Sequence, residues 1–293
     1  MTILQAVLLG LVQGLTEFIP VSSTAHLVFA ARLLNLYSGV DRTLQAEQTT
    51  ATIAVVQLGT LLAVLVYFAG DILKILRAFI FDHLALFGGQ TPAGTPKLSH
   101  DAWLGWLVII GSLPVATVGL LLKKQIEGPF TKNLWVIATM MIVIAILLAV
   151  AEVVGKRLRT MDQLGIGDAL AVGFAQVLAL VPGSSRSGST IMAGLFAGET
   201  RETAARFSFL LSIPAIAASG LLELKEAVHK LPAETYGPLL VGTFVSGVVG
   251  YASIWFLLRF LRTHSTGIFI GYRLIVGSLI LAGLASHYIS AAI

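Results

Sequence analysis

The sequence predicts an all-α, polytopic membrane protein in which about six helices cross the bilayer and two broken-helix hairpins re-enter it. Three observations carry that expectation. Of 293 residues, 56% are hydrophobic and only 12% charged, against roughly half and a quarter in soluble domains, and mean hydropathy is +0.90. Several apolar runs approach the roughly 20 residues that span a hydrocarbon core. Two further apolar stretches are too short and too interrupted to span, and each ends at a proline followed by serines.

Taken in order, the first of these stretches is Ile3 to Ile19, ending at Pro20. No Lys or Arg precedes Arg32, so it lacks the basic region of a secretory signal and is expected to belong to the mature structure. Spans follow near 49–68, 103–122 and 134–153. The second broken stretch, Ala169 to Val181, ends at Pro182, and spans near 207–223, 237–258 and 268–288 complete the chain. Turn signals at Gly88 to Pro96, Glu127 to Phe130 and Lys230 to Pro238 read as short connectors within one integral membrane domain, 1–293. Aligning VQGLTEFIPVSST from Val12 with AQVLALVPGSSRS from Ala175 matches Gln, Leu, Pro and Ser-Ser with one residue of slippage. Halves of approximately 1–153 and 154–293 are therefore expected to form an inverted repeat, the arrangement that builds midplane sites from half-helix ends.

The net charge of +4 and pI near 9.4 come from dispersed cations, which excludes a nucleic-acid partner and reads as positive-inside bias. With six crossings, ten cations fall on one side: Lys74, Arg77, Lys97, Lys156, Arg157, Arg159, Arg201, Arg206, Arg259 and Arg262. Seven fall on the other: Arg32, Arg42, Lys123, Lys124, Lys132, Lys225 and Lys230. This bias places the first side in the cytoplasm and both termini outside. The absence of cysteine excludes disulfides, thiolate metal sites and cysteine nucleophiles.

Glu17 lies in an otherwise apolar stretch, where a carboxylate costs several kcal/mol unless paired, hydrated or metal-bound. Gln13, four residues earlier, shares its helical face. A packing hydrogen bond is the plain reading of the pair; a divalent cation held by oxygen ligands is the sharper one. After Pro20 come Ser22, Ser23, Thr24 and His26. N-capping accounts for one or two of the hydroxyls. It does not account for His26, spaced three residues after Ser23, where an imidazole could activate a hydroxyl or itself attack phosphorus. The second segment runs Pro182-Gly183-Ser184-Ser185-Arg186-Ser187-Gly188-Ser189-Thr190. Its glycines permit a tight turn whose N–H groups converge on an anion at the positive end of the next helix, and Arg186 adds a bidentate donor. Phosphate or pyrophosphate is the expected anion, with a structural salt bridge to Glu17 as the alternative.

These two motifs, Glu/Gln-x-x-x-Glu running into Pro-Val-Ser-Ser-Thr-x-His at Gln13 to His26 and Pro-Gly-x-Ser-Arg-Ser-x-x-Thr at Pro182 to Thr190, resemble those of the undecaprenyl-diphosphate phosphatases, also called bacitracin-resistance proteins. The resemblance extends over nearly the whole chain in segment order. It implies removal of the terminal phosphate of undecaprenyl diphosphate with a divalent cation, Mg2+ or Ca2+, in the bacterial plasma membrane, the site opening to the periplasmic or outer face. It further implies that Gln13 and Glu17 are the acidic and metal-associated pair, that Glu17, Ser23, His26 and Arg186 are catalytic, and that Ser22, Thr24, Gly183, Ser184, Ser185, Ser187 and Thr190 bind substrate. Ala25 stands where the family often has Gly. Tyr272-Arg273 also resembles the family, with an arginine snorkelling from the end of its span as the alternative. The partners expected are a polyprenyl diphosphate lipid and the membrane, and a homo-oligomer is compatible with the sequence. From another class, a secondary transporter or lipid flippase uses the same broken helices, but has no use for a nucleophile and a base.

Overall fold

The structure, a computed structural model, describes residues 1–88, 98–122 and 133–291. The connectors expected over 89–96 and Glu127 to Phe130, with Lys97, Lys123, Lys124 and Lys132, lie outside the described residues. Within them the chain is helical without a strand, and six helices are long and apolar enough to cross a membrane.

Helix α1 (Ile3–Thr16) opens on a capping box between Thr2 and Gln5. The chain turns through Glu17 to Ser22 and restarts as α2 (Ser23–Leu33). The second hairpin repeats this: α7 (Ile166–Val177), a single tight turn at Leu178–Leu180, then α8 (Arg186–Phe196). Each first helix stops a few residues before its proline because the pyrrolidine ring disfavours the helical conformation of the preceding residue. The halves are 14, 11, 12 and 11 residues long, so each rises only about 16 to 21 Å at 1.5 Å per residue. None reaches across a core roughly 30 Å thick.

The spans are α3 (Arg42–Tyr67), α5 (His100–Leu121), α6 (Leu134–Val154), α9 (Arg201–Lys230), α10 (Tyr236–Leu261) and α11 (Gly267–Ala285). Oxygen caps start four of them, from Asp41, Ser99, Asn133 and Thr200. Helix α9 is longer than the expected span, beginning at Arg201 because Thr200 caps it there. An element without a counterpart in the sequence reading is α4 (Ala69–Phe87), which has no buried residue and is not among the candidate spans. Lys74, Arg77 and Asp82 interrupt its apolar residues. It lies antiparallel on the first half of α5, where Trp106 Nε1 donates to His83 Nε2 at 3.1 Å and Asp82 accepts from Ser99 N at 2.7 Å.

Helix α1 packs most extensively on α10, α10 on α3, and α3 on α9; α7 packs on α5, and α6 on α11. Small residues allow the first contact. A Cβ at Gly10 would stand 2.3 Å from the Gly242 carbonyl oxygen, and one at Gly14 would stand 2.9 Å from that of Ser246. Gly10 and Gly14 thus face Gly242, Ser246 and Gly250 in the small-residue packing that lets membrane helices approach at backbone distance. The largest apolar core, including Phe18, Phe68, Phe207 and Phe209, fills the space beside the two turns.

Candidate active site

The two broken segments meet at their turns. Arg186 Nη2 donates to Glu17 Oε1 at 2.6 Å, across 169 residues of chain. Gln57 Nε2 reaches the same oxygen at 3.4 Å, while Gln13 Nε2 donates to Glu17 Oε2 at 3.0 Å and to Thr60 Oγ1 at 3.2 Å. Glu17 is 7% exposed. Every one of these donors offsets the cost of holding a carboxylate away from water. Gln13 Oε1 is buried with no hydrogen-bond partner.

Behind the pair lies a second arginine. Arg273 is fully buried, so the snorkelling alternative fails. Its guanidinium donates to the carbonyls of Pro20 at 3.3 Å, Gly183 at 2.9 Å and Ser184 at 3.1 Å, and also to Met140 and Met141 of α6. One planar group therefore satisfies carbonyls freed by both helix breaks and ties both turns to α6. No carboxylate pairs with it among the described residues, so Glu17, Arg186 and Arg273 together leave one uncompensated positive charge.

Both restarting helices begin at a serine in a conformation non-glycine residues seldom adopt, Ser22 at φ +78 and Ser185 at φ +65. Ser185 Oγ accepts from Gly188 N at 3.2 Å and lies 3.2 Å from Ser187 Oγ. Ser22 occupies the cap position of α2, yet its buried hydroxyl caps nothing and has no partner. Gly183 is at φ +93, and a Cβ there would meet the Ile137 carbonyl oxygen at 2.1 Å, so only glycine fits.

His26 is turned away from Ser23. Its Nδ1–H donates to the Ser22 carbonyl at 2.7 Å, and its Nε2 lies 2.6 Å from the Tyr272 hydroxyl. A carbonyl only accepts, so in the neutral ring Nδ1 bears the proton and Nε2 presents a lone pair. The two rings stack with centroids 5.6 Å apart. No hydrogen bond joins Ser23 to His26 among the described residues. The two rings stand in the wall of a cavity of about 320 Å³ whose remaining lining, Val12, Ala25, Phe29, Ala30, Leu33 and Val276, is apolar.

Other expected site residues are placed differently. Thr190 is buried and committed to the Arg186 carbonyl and, at 2.6 Å, to Ser208 of α9. Ser184 is buried, donating to the Val181 carbonyl at 2.7 Å. Ser187 donates to Ile19 O at 3.4 Å, another link between the turns. Thr24 is exposed on α2 and takes no part in the Glu17 network. Sequence reasoning missed Gln57 and Thr60. Their signal was available: both are polar residues inside an apolar span, where such groups need partners.

Fold and site together define a polytopic membrane protein that holds a buried Arg186–Glu17 pair between two serine-bearing turns, together with an apolar cavity walled by His26 and Tyr272. The chain matches the family model for the bacitracin resistance protein BacA over residues 6–279, and it belongs to that family. It is 53% identical to a protein of Syntrophobacter fumaroxidans over 98% of this chain and 99% of the relative. It is 47% identical to one of Mycolicibacterium gilvum over 99% and 100% of the two chains. With one of Chloroherpeton thalassium it shares 45% over 97% and 98%. All three relatives are described as undecaprenyl-diphosphatase.

Proposed function

We propose that this chain hydrolyses undecaprenyl diphosphate to undecaprenyl phosphate and inorganic phosphate, recycling the lipid carrier for peptidoglycan synthesis and conferring bacitracin resistance. The observation that carries the reading is the Arg186–Glu17 contact at 2.6 Å, which joins the two turns next to the cavity bearing His26. The cationic side suits a diphosphate and the apolar lining suits a prenyl chain.

Arg186 binds and orients the diphosphate, and the positive end of α8 complements its charge. Arg273 holds both turns in register and adds positive charge from behind. Attack on the terminal phosphorus by His26 Nε2, or by Ser23 Oγ with its proton passing to the departing oxygen, breaks the bond to the bridging oxygen, which leaves on the lipid phosphate. Water then cleaves the phospho-enzyme, releasing inorganic phosphate and restoring the nucleophile. A divalent cation, Mg2+ or Ca2+, fits the residues present: the unpartnered Gln13 Oε1 and the Glu17 carboxylate would be its oxygen ligands, and the ion would neutralise phosphate charge. Ser22, Gly183, Ser184, Ser185, Ser187 and Thr190 shape the binding turns, Thr190 and Ser184 doing so through the backbone they hold, while Thr24, exposed on the first turn of α2, is assigned to substrate from that helix.

The chain is placed in the bacterial plasma membrane with both termini and the site opening to the outer face. Halves 1–153 and 154–293 are assigned as inverted repeats. The pairing of α1 with α10 and of α7 with α5 supports this, as does the pairing of α3 with α9 and of α6 with α11. An impermeant thiol reagent applied to intact cells should label Asp41→Cys and spare Arg262→Cys; the reverse pattern inverts the orientation.

Purified protein in detergent, with no second compartment, should release phosphate from undecaprenyl diphosphate, which a transporter would not do. His26→Ala and Arg186→Ala should each lower release at least 100-fold. If neither does, the assignment fails. An acid-labile phospho-enzyme assigns the attack to His26 and an acid-stable one to Ser23.

A further inference from the structure

At one end of the bundle, where α3 and α10 finish and α9 begins, three arginines converge on a cleft of about 160 Å³ lined by Tyr67, Arg206, Trp255, Leu258, Arg259 and Arg262. None of these residues belongs to the site around Glu17. Two of the arginines have acidic partners: Arg206 Nη2 contacts Asp71 Oδ2 at 2.7 Å, and Arg262 Nη2 contacts Glu202 Oε1 at 2.7 Å. The third does not. Arg259 stacks over the Trp255 ring at 5.7 Å, and no carboxylate lies within salt-bridge distance of it among the described residues. Three guanidinium groups against the carboxylates of Asp71 and Glu202 leave one net positive charge facing the cleft.

Its surroundings fix the depth at which an anion would meet it. The Tyr67 ring stands 5.2 Å from that of Tyr251, which lies one helical turn before Trp255 on α10; aromatic residues grouped in this way mark the level of the lipid headgroups. Towards the bilayer centre the same two helices expose apolar side chains, Leu62 and Val66 on α3 and Val248 on α10. A charged cleft at headgroup depth, continuous with an apolar surface, matches a phosphate carried on acyl chains better than a phosphate free in water.

We infer that this cleft is a binding site for the phosphodiester headgroup of an anionic phospholipid, with Arg259 as its principal charge partner and Trp255 and Tyr67 as its flanks. The lipid would bridge the ends of α3, α9 and α10; there Arg262–Glu202 joins the end of α10 to α9, Tyr67–Tyr251 joins α3 to α10, and Arg206–Asp71 ties α9 to the start of α4.

The test uses the full-length protein, delipidated in detergent and then mixed with vesicles of phosphatidylglycerol or of phosphatidylcholine. Bound lipid is read by native mass spectrometry and the thermal midpoint is read in parallel. Phosphatidylglycerol should be retained and raise the midpoint, while phosphatidylcholine and inorganic phosphate should do neither. Arg259→Gln should weaken phosphatidylglycerol binding roughly fivefold, the equivalent of about 1 kcal/mol for one arginine near an anionic surface, and Arg259→Lys should restore most of it. Unchanged phosphate release by Arg259→Gln in detergent shows the fold intact. Equal retention of both lipids, wild-type binding by Arg259→Gln, or an equal response to inorganic phosphate overturns the inference.

Discussion

Single residues carry strain and unpaired polarity where the chemistry is expected. Ser22 holds φ +78 while its hydroxyl is buried without a partner, so both backbone and side chain work against folding at that position. Such a conformation costs on the order of 1–3 kcal/mol. Ser22→Gly relieves the backbone and deletes a hydroxyl that no protein group uses. It should raise the thermal midpoint, by an amount corresponding to roughly 1 kcal/mol, while lowering phosphate release. A fall in both would mean that the hydroxyl supports the fold.

Glu199, in the loop between α8 and α9, poses the same problem at the far end of the hairpin. It is completely buried, and neither carboxyl oxygen has a hydrogen-bond partner. Burial pushes its pKa up to about 7, the nearby Asp168 carboxylate adds to the rise, and Arg159 opposes it. A carboxyl raised in the folded state penalises folding once it ionises. The penalty is absent below the ordinary value near 4.5, grows as pH climbs, and is complete above about 7. Glu199→Gln should therefore stabilise the protein by up to about 3 kcal/mol at pH 8, from 1.36 kcal/mol per pKa unit. Denaturation at pH 8 and at pH 4 measures it, and a gain equal at both values would show that ionisation is not the cause.

At the level of elements, the decisive contact is α1 against α10. Between membrane helices there is little hydrophobic driving force, so backbone proximity through small residues supplies the packing. The atom opposing a Cβ at Gly10 is a backbone oxygen at 2.3 Å, which cannot rotate away. Gly10→Val should cost about 1–3 kcal/mol or more, read as a lower midpoint, and should reduce activity because α1 carries Gln13 and leads directly into Glu17. The same substitution at Gly70, where a Cβ would meet nothing within 4 Å, should be nearly silent. Helix α4 illustrates the opposite regime. With no buried residue, it is held by the contacts of Phe79, Asp82 and His83 on α5 and by the Asp71–Arg206 ion pair to α9.

Across the whole molecule, Arg273 joins pieces that no local interaction could assemble: two turns and the middle of α6. Arg273→Lys keeps the charge but lacks the planar fork that reaches Pro20, Gly183 and Ser184 at once. It should abolish phosphate release while leaving the six spans helical by circular dichroism, since the charge-assisted bonds it breaks are worth about 1.5–3 kcal/mol each. Wild-type activity in Arg273→Lys would show that charge alone suffices at that position.

Much of this architecture is local and so was readable along the chain. Apolar length marks the spans, Pro20 and Pro182 break helices wherever they stand, and a carboxylate or guanidinium in an apolar stretch needs a partner. Those facts placed Glu17, His26 and Arg186 in one candidate site and made the two hairpins expected. What depended on tertiary structure is which groups meet. The partner of Arg186 lies 169 residues away, His26 bonds Tyr272 rather than Ser23, and Thr190 turns to Ser208. Arg273 stitches the turns instead of reaching for the headgroups. These pairings follow from how α1, α6, α8 and α11 pack. Packing is a cooperative property of surfaces brought together by the whole chain, so no single stretch of sequence contains it.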